Sequence, residues 1–418
     1  MYRFDYMHVV IFSHGGGSPY HGPNMRWYYL GQALHDLGCK VTIVSSSYFH
    51  KYNRMPEVSE GVSHEVIDGI EYVWVKTKPY RSRFFQIYNQ VEFSFKAYRY
   101  ATSDFFPKGA DIVVASSPHP FVIYAANRLA HQLKKPLVYE VRDLWPLVVR
   151  DLSGAPAWHP YMLLLKMTEW FAVRKADIVA SVKPGDKEYF MENYSFSEDR
   201  FFYAPNGFYD GGEKKLGCLG SAEGARAGLG LKKASFVVGY VGALSTYYGI
   251  QELIEAARLL HNDSEIMFRI VGGGEDLEKI RDLVRSYKLE NVELAGPVAK
   301  SKVEEELAGF DVCYVGLKDV SANRYGISCN KLFEYMHAGK PIVASYSTDH
   351  DPVKFAQCGI TVMPGDSSGI ADAISFLKSN PELCRQFGEC GAKYFWGNHE
   401  FSVVAKKYHD LFLSFNGS

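Results

Sequence analysis

The chain has 418 residues, with 46 Lys and Arg against 47 Asp and Glu for a formal net charge of −1. At roughly 100–200 residues per domain, this length suggests two domains or a large three, each able to bury its own core. A composition that is 47% hydrophobic and 22% charged belongs to globular chains and excludes a disordered one, and the charge balance argues against a surface built throughout for nucleic acid.

The first apolar run, His8–Ser13 (HVVIFS), reads as a strand, and Gly15–Gly17 as the turn after it. Trp27, Leu30, Leu34 and Leu37, spaced by three and four, mark one face of a helix that stops at Gly38. Strands follow at Lys40–Val44, Asp111–Ala115, Leu137–Val141 and Asp177–Ser181. The pattern then restarts with a strand at Phe236–Val241, a loop at Gly242–Thr246 and a helix from about Gly249 to Leu260. Further strands are expected at Met267–Val271, Val292–Leu294, Val312–Val315, Pro341–Ala344 and Thr361–Val362, with helical stretches such as Asp276–Tyr287 between them. Alternation of this kind predicts parallel sheets covered by helices, in two α/β domains at 1–200 and 201–395. The last helix, roughly Ser402–Phe415 within 396–418, is open to packing on either. Gly207–Gly230, with eight glycines in 24 residues, suits a flexible loop near the junction.

The seven cysteines, Cys39, Cys218, Cys313, Cys329, Cys358, Cys384 and Cys390, are odd in number and form no C-x-x-C pair. They read as reduced thiols of a cytoplasmic protein without a zinc site. The N-terminus lacks the basic flank and long apolar core of a signal peptide, and no segment reads as a bilayer span, so membrane contact is expected to be peripheral. Its place would be 76–108: Lys76, Lys78, Arg81, Arg83, Lys96, Arg99 and Lys108 face only Glu92 and Asp104, and Tyr80–Phe106 holds ten aromatics. Cations interleaved with rings suit an anionic membrane surface; an irregular helical pair with its rings packed inward is the alternative.

Gly-rich turns follow two strands, at Gly15-Gly16-Gly17 and Gly272-Gly273-Gly274. Such turns can present backbone N–H groups to phosphate, but Tyr20 and Leu277 stand where the dinucleotide fingerprint needs its third glycine, and Ser45-Ser46-Ser47 ends the second strand without its acidic residue, which argues against a nicotinamide dehydrogenase. The most informative stretch is Asn323–Pro341, NRYGISCNKLFEYMHAGKP, where a loop enters a helix near Ser328–Asn330 and places Lys331 and Glu334 on one face. A cation beside free backbone N–H groups can stabilise a diphosphate, and a carboxylate one turn on can accept from ribose hydroxyls. In the other half, His119 and Asp143 lie at strand carboxyl ends, where α/β proteins bind ligands. Arg26, opening the first helix, either meets an acceptor phosphate or sits in solvent.

Together, Asn206-Gly207, VGYVGALSTYYGIQELIEAARLL, VGGGEDLEKI, NVELAGPV and NKLFEYMHAGKPIVA resemble the glycosyltransferases of family 4. The resemblance implies the GT-B fold, two Rossmann-like doubly wound domains facing each other across a cleft. SPYHGPNMRWYYLGQAL and YEVRDLWP are similar to bacterial enzymes of O-antigen, lipopolysaccharide and capsule assembly, including N-acetylfucosamine transferases. The resemblance further implies retaining transfer of an N-acetylated amino or deoxyamino sugar from a UDP-sugar to a polyprenyl-diphosphate-linked saccharide, at the inner face of the cell membrane. No cofactor or obligatory metal is implied.

By the same resemblance Glu334 holds the ribose, and Lys331 with the amides of Ser328, Cys329 and Asn330 holds the diphosphate. Gly242, Gly273 and Gly274 border the donor, Gly16 and Gly17 close over its phosphates, and residues 295–298, with Pro297 and Val298, line the base. The chain also departs from the family. Gly326 stands where a second glutamate is common, Ala243 and Tyr248 where an Arg and a Lys grip the diphosphate, and Arg142-Asp143 where many relatives carry His-Asp. Lys331 and Arg324 are then the nearest cations. Asp143 is the candidate base or acceptor-orienting group, with Arg142, His119 and Arg26 as acceptor contacts. A nucleotide-sugar epimerase on the same fold, or a non-catalytic nucleotide-sugar-binding partner, are the competing readings.

Overall fold

The computed structural model describes residues 6–22, 24–50, 54–107, 109–207, 209, 222–229 and 236–415. Lys108, Cys218 and most of the Gly-rich 207–230 stretch lie outside the described residues. The chain divides into two compact units, Met1–Tyr209 with Phe401–Ser418, and Asp210–Glu400.

In order, the first unit contains β1 (His8–Phe12), α1 (Arg26–Asp36), β2 (Lys40–Ser46), β3 (Val62–Ile67), β4 (Ile70–Val75), α2 (Arg83–Tyr100), β5 (Ile112–Ser116), α3 (Val122–Leu133) and β6 (Leu137–Val141). α4 (Leu147–Ser153), α5 (Pro160–Lys175), β7 (Ile178–Ser181), α6 (Asp186–Asn193) and β8 (Phe201–Tyr203) follow. The sheet runs β3-β4-β2-β1-β5-β6-β7-β8, parallel except where β3 meets β4. The sequence boundary at 200/201 precedes β8, whose pairing with β7 keeps it in this unit.

Three strands escape the sequence reading. β3 is a half-exposed edge strand without a clean apolar run, and β4 lies at the start of the basic, aromatic segment. Their hairpin does carry a signal: Asp68-Gly69, both at positive φ (48° and 81°), is the dipeptide a two-residue hairpin turn favours. β8 is only three residues long. In place of the helical pair offered as the alternative at 76–108, the described residues there hold a single helix, α2.

The core is tied together by a buried charge. Glu140, on β6 and fully buried, receives the Arg26 guanidinium on Oε1 through Nε (3.0 Å) and Nη2 (2.9 Å), and the Tyr408 hydroxyl at 2.7 Å. Its Oε2 accepts from Trp27 Nε1 (2.9 Å) and Ser116 Oγ (2.6 Å). Burial pushes this carboxyl up, but Arg26 and the Ser116 hydrogen bond outweigh it and hold it below its ordinary range. The same carboxylate thus joins α1, β5, β6 and the helix that carries Tyr408.

The second unit contains α7 (Ala222–Gly228), β9 (Phe236–Val241), α8 (Ile250–Leu259), β10 (Ile266–Val271), α9 (Leu277–Ser286), β11 (Val292–Gly296), α10 (Val303–Ala308), β12 (Val312–Gly316) and α11 (Asn330–His337). β13 (Ile342–Ser345), α12 (Pro352–Ala356), β14 (Gly359–Val362), α13 (Ser367–Lys378) and α14 (Pro381–Asn398) complete it. Its parallel sheet, β11-β10-β9-β12-β13-β14, is the doubly wound order whose direction reverses between its first and fourth strands, here β9 and β12. The chain then returns to the first unit as α15 (Phe401–Ser414), whose Val404, Ala405, Tyr408 and Phe412 join the α1 core.

Removing the buried carboxylate leaves Arg26 desolvated and unpaired, so Glu140→Ala is expected to cost about 3–5 kcal/mol. Tyr408→Phe, which removes one hydrogen bond, should cost about 1 kcal/mol. Urea unfolding followed by tryptophan fluorescence measures both.

Candidate functional site

The reversal point of the second sheet collects the residues singled out in the sequence. Lys331 enters on the first turn of α11, which follows β12, and the residue is only 8% exposed. It donates to the Tyr240 hydroxyl at 2.7 Å, which in turn donates to the carbonyl of Ala243 at 2.6 Å. The same nitrogen lies 4.4 Å from the centre of the Tyr240 ring and 3.4 Å from that of Tyr248. Burial lowers its pKa to about 8, against the opposing pull of Cys329 and Glu334. Burial likewise raises the Glu334 carboxyl, partly countered by Lys300, Lys331 and His337.

α11 is fixed to β9 by Tyr335, whose hydroxyl accepts from the Val241 N–H at 2.9 Å and donates to the Val241 carbonyl at 3.2 Å. Lys331 and Glu334 precede this anchor on the same short helix, so their placement follows from it. A desolvated cation at a helix N-terminus, with a carboxylate one turn away, suits a ligand with an anionic group and adjoining hydroxyls.

The glycines around this site serve backbone contact. Gly242 N donates to Val271 O, Leu244 N to Gly273 O, Asp276 N to Leu244 O and Gly272 N to Gly296 O, lacing the loops after β9, β10 and β11 together. A Cβ on Gly272 would lie 1.8 Å from the Gly242 carbonyl oxygen, and one on Gly274 2.2 Å from that of Leu244. Gly242 has φ +153°, and a Cβ there would stand 3.0 Å from the Lys331 ammonium. Gly273 is free of such crowding, with the Pro297 ring 3.9 Å away. Pro297 is exposed and Val298 half-buried in the loop after β11. Ser328 and Cys329 are half-buried ahead of α11, and Asn330 is exposed at its start. Arg324 is largely exposed and pairs with Asp349 at 3.4 Å.

In the first unit the strand order reverses between β1 and β5, and the loops leaving these strands meet there through His14 and His119, with ring centroids 4.8 Å apart. His14 Nε2 is 2.7 Å from Asn89 Oδ1, while neither ring nitrogen of the fully buried His119 has a hydrogen-bond partner among the described residues. Burial pushes His14 down to about 4 and His119 well below its ordinary value, so both rings are neutral at physiological pH.

Two expectations are corrected here. Gly16 N donates to Ser13 O and Gly17 N to Asn24 O, so these N–H groups are spent inside the first unit rather than offered to phosphate. Arg26 faces neither acceptor nor solvent: its remaining N–H groups go to Ala204 O, Pro205 O and Asn206 Oδ1, which leaves none to bind a ligand. Arg142 donates its backbone N–H to Ser117 Oγ at 2.8 Å, and its buried Nε has no hydrogen-bond partner among the described residues. Burial lowers its pKa. Asp143 beside it is exposed at the carboxyl end of β6.

The family model described as Glycosyltransferase Family 4 matches residues 20–209, and that described as Glycosyl transferases group 1 matches residues 222–394. In structure, the chain is similar to the sucrose-phosphate synthase of Thermosynechococcus elongatus, with a TM-score of 0.74 at 18% identity over 99% of this chain and 100% of that one. The chain is a family-4-like protein of the GT-B glycosyltransferase fold. HepE of Anabaena, solved in complex with UDP-glucose, is also similar, with a TM-score of 0.66 at 15% identity over 98% of this chain and 100% of that one. Among curated relatives, an uncharacterised glycosyltransferase of Methanocaldococcus jannaschii, MJ1069, is 26% identical over 243 residues, 57% of this chain and 59% of its own length.

Within this GT-B chain the family departures have local causes. Gly326 adopts φ +125°, a region that disfavours side chains, so the position of the second family glutamate is here a backbone turn. Ala243 offers its carbonyl to Tyr240, and Tyr248 lays its ring on Lys331. The Tyr240 contact escapes sequence reading because Tyr240 sits in the apolar run of β9, and the Tyr335 contact because no sequence pattern pairs α11 with the end of β9.

Gly274→Ala is expected to lower the stability of the second unit by about 1–3 kcal/mol through overpacking against Leu244. Gly273→Ala, whose Cβ would meet only the Pro297 ring at ordinary contact distance, should leave the thermal midpoint within experimental error.

Proposed function

We propose that this protein is a retaining glycosyltransferase that moves a sugar, an N-acetylated amino or deoxyamino sugar by its motif resemblance, from a UDP-sugar to a lipid-linked saccharide in the assembly of a bacterial surface polysaccharide. The observation that carries this reading is the pairing of Lys331 with Glu334 at the start of α11, at the reversal point of a doubly wound sheet. In this reading the diphosphate meets Lys331 and the N-terminus of α11, and the ribose hydroxyls donate to Glu334. HepE, of the same fold and solved with UDP and with UDP-glucose, supports the nucleotide.

In the reaction the bond from the sugar's anomeric carbon to the β-phosphate oxygen breaks, and a bond to the acceptor oxygen forms on the same face. The electron pair leaves with UDP, and Lys331 stabilises the charge that grows there. The hydroxyl proton passes to the departing phosphate or to Asp143, which is exposed at a strand end of the first unit.

A lipid-linked acceptor places the enzyme at a membrane surface, and the first unit has a face suited to one. Along α2 the side chains of Phe85, Tyr88, Val91, Phe95 and Tyr98 are exposed at intervals of three and four. On α5, Leu163, Leu164, Met167 and Trp170 are exposed as well. Guanidinium groups cap both rows, Arg128 lying 4.4 Å from the Tyr98 ring and Arg174 4.9 Å from that of Trp170. Two apolar cavities share Tyr124 on α3: one of about 410 Å³ lined from α2 and by Leu164 of α5, and one of about 530 Å³ lined from α5 and by Asn193 and Tyr194. Exposed apolar rows edged with cations favour an anionic interface. No described helix is long and apolar enough to cross a membrane.

Purified protein is expected to release UDP from one member of a UDP-sugar panel only when a polyprenyl-diphosphate-linked saccharide is present. Lys331→Ala and Glu334→Ala should each lower kcat/KM by roughly a hundredfold. Conversion of the donor to a second UDP-sugar without acceptor would favour an epimerase instead. In vesicle flotation, the wild type should rise with anionic but not neutral lipid, and Phe95→Asp/Met167→Asp should abolish this while leaving UDP binding unchanged.

A further inference from the structure

We propose that Tyr240 and Tyr248 are positioning residues that clamp the Lys331 ammonium, so that one fixed lysine does the work that an Arg and a Lys share in related sequences. This rests on the nucleotide-sugar reading of the site.

Lys331 has three N–H donors and, among the described residues, one hydrogen-bond acceptor, the Tyr240 hydroxyl. The rest of its desolvation is met by the two ring faces, which attract a cation through their quadrupoles. At 3.4 Å the Tyr248 contact is the closer of the two, and it comes from the position where a cation would otherwise stand.

A tyrosine on a loose loop would not hold a lysine, but the backbone on both sides of Tyr248 is pinned. Tyr247 O accepts from Lys318 N at 2.7 Å, and Gly249 O accepts from the Tyr314 hydroxyl at 2.9 Å. Thr246 Oγ1 donates to Asp276 Oδ2 at 2.7 Å, and Tyr247 OH to Asn323 Oδ1 at 3.2 Å. Gly249, at φ +59°, turns the chain directly into α8. Tyr240 is held by β9 and by its bond to Ala243 O.

The clamp has an electrostatic consequence. The ionisable groups facing Lys331 are Cys329 and Glu334 from its own segment, Tyr240 from β9 and Tyr248 from the turn before α8. Burial raises the Cys329 thiol, the Glu334 carboxyl and the Tyr240 phenol above their ordinary values. The lysine therefore sits in a poorly solvated setting where its proton is held weakly, and a bound diphosphate would strengthen that hold. Affinity for the diphosphate should accordingly fall as pH rises through about 8, where free Lys331 loses its charge.

Two readouts on the full chain test the clamp. The first is the titration of Lys331 in ligand-free protein by NMR of dimethylated lysines, assigned with Lys331→Met. The second is UDP affinity across pH 6.5–9.5, by calorimetry. Tyr248→Leu keeps the bulk and removes the ring face, so Lys331 should titrate at lower pH and UDP should bind roughly tenfold more weakly at pH 7.5. Tyr248→Phe keeps the face and should match wild type in both. Tyr240→Phe, which loses the accepting hydroxyl, should weaken UDP binding about fivefold. If Tyr248→Leu leaves the Lys331 titration where it is in wild type, the clamp is wrong whatever the nucleotide result. If wild type shows no UDP binding while the titration shifts as stated, the clamp stands and the nucleotide reading fails.

Discussion

The Lys331 ammonium is removed from water at the start of a helix, beside an opening in the sheet order, and is only partly compensated there by one phenol oxygen and two aromatic faces. A buried cation in that condition holds its proton less tightly than a free lysine and gains most when an anion arrives. Much of the second unit reads as the means of keeping it so. Tyr335 fixes α11 to the end of β9, the laced loops after β9, β10 and β11 approach through glycine, and Tyr248 is pinned from both sides. The geometry is prepared before any ligand is present, which is where electrostatic stabilisation of a leaving diphosphate derives its effect.

Glu140 in the first unit shows the contrasting case. It too is a fully buried charge, but five donors from Arg26, Trp27, Ser116 and Tyr408 satisfy both of its oxygens. That arrangement leaves nothing for a ligand and instead decides which unit the last helix joins. His119 stands between these extremes, a neutral buried ring with no hydrogen-bond partner among the described residues, at the reversal point of its sheet. How fully a buried polar group is satisfied thus separates the chain's structural charges from those placed for binding.

The alternation of apolar runs and helical periods made both sheets legible, because parallel strands buried on both faces are continuous runs of Val and Ile. β3 was hidden by the opposite circumstance, an edge strand half in solvent, although Asp68-Gly69 marked its turn into the buried β4. Lys331 and Glu334 could be named from spacing on one helix. Arg26 could not be judged that way, since its partner Glu140 lies over a hundred residues away and a buried Arg–Glu pair leaves no local pattern. α5 was passed over for a related reason: YMLLLKMTEW is apolar on every side, and only the packing shows which residues remain exposed.

Hydrogen exchange read by mass spectrometry with and without UDP tests the central claim most directly, because it locates the nucleotide without presupposing a sugar or an acceptor. The account predicts slowed exchange at 242–248, 272–276, 295–298 and 328–335, the segments that surround Lys331 and Glu334. Unchanged exchange in all four at saturating UDP, or protection confined to the first unit, would contradict it.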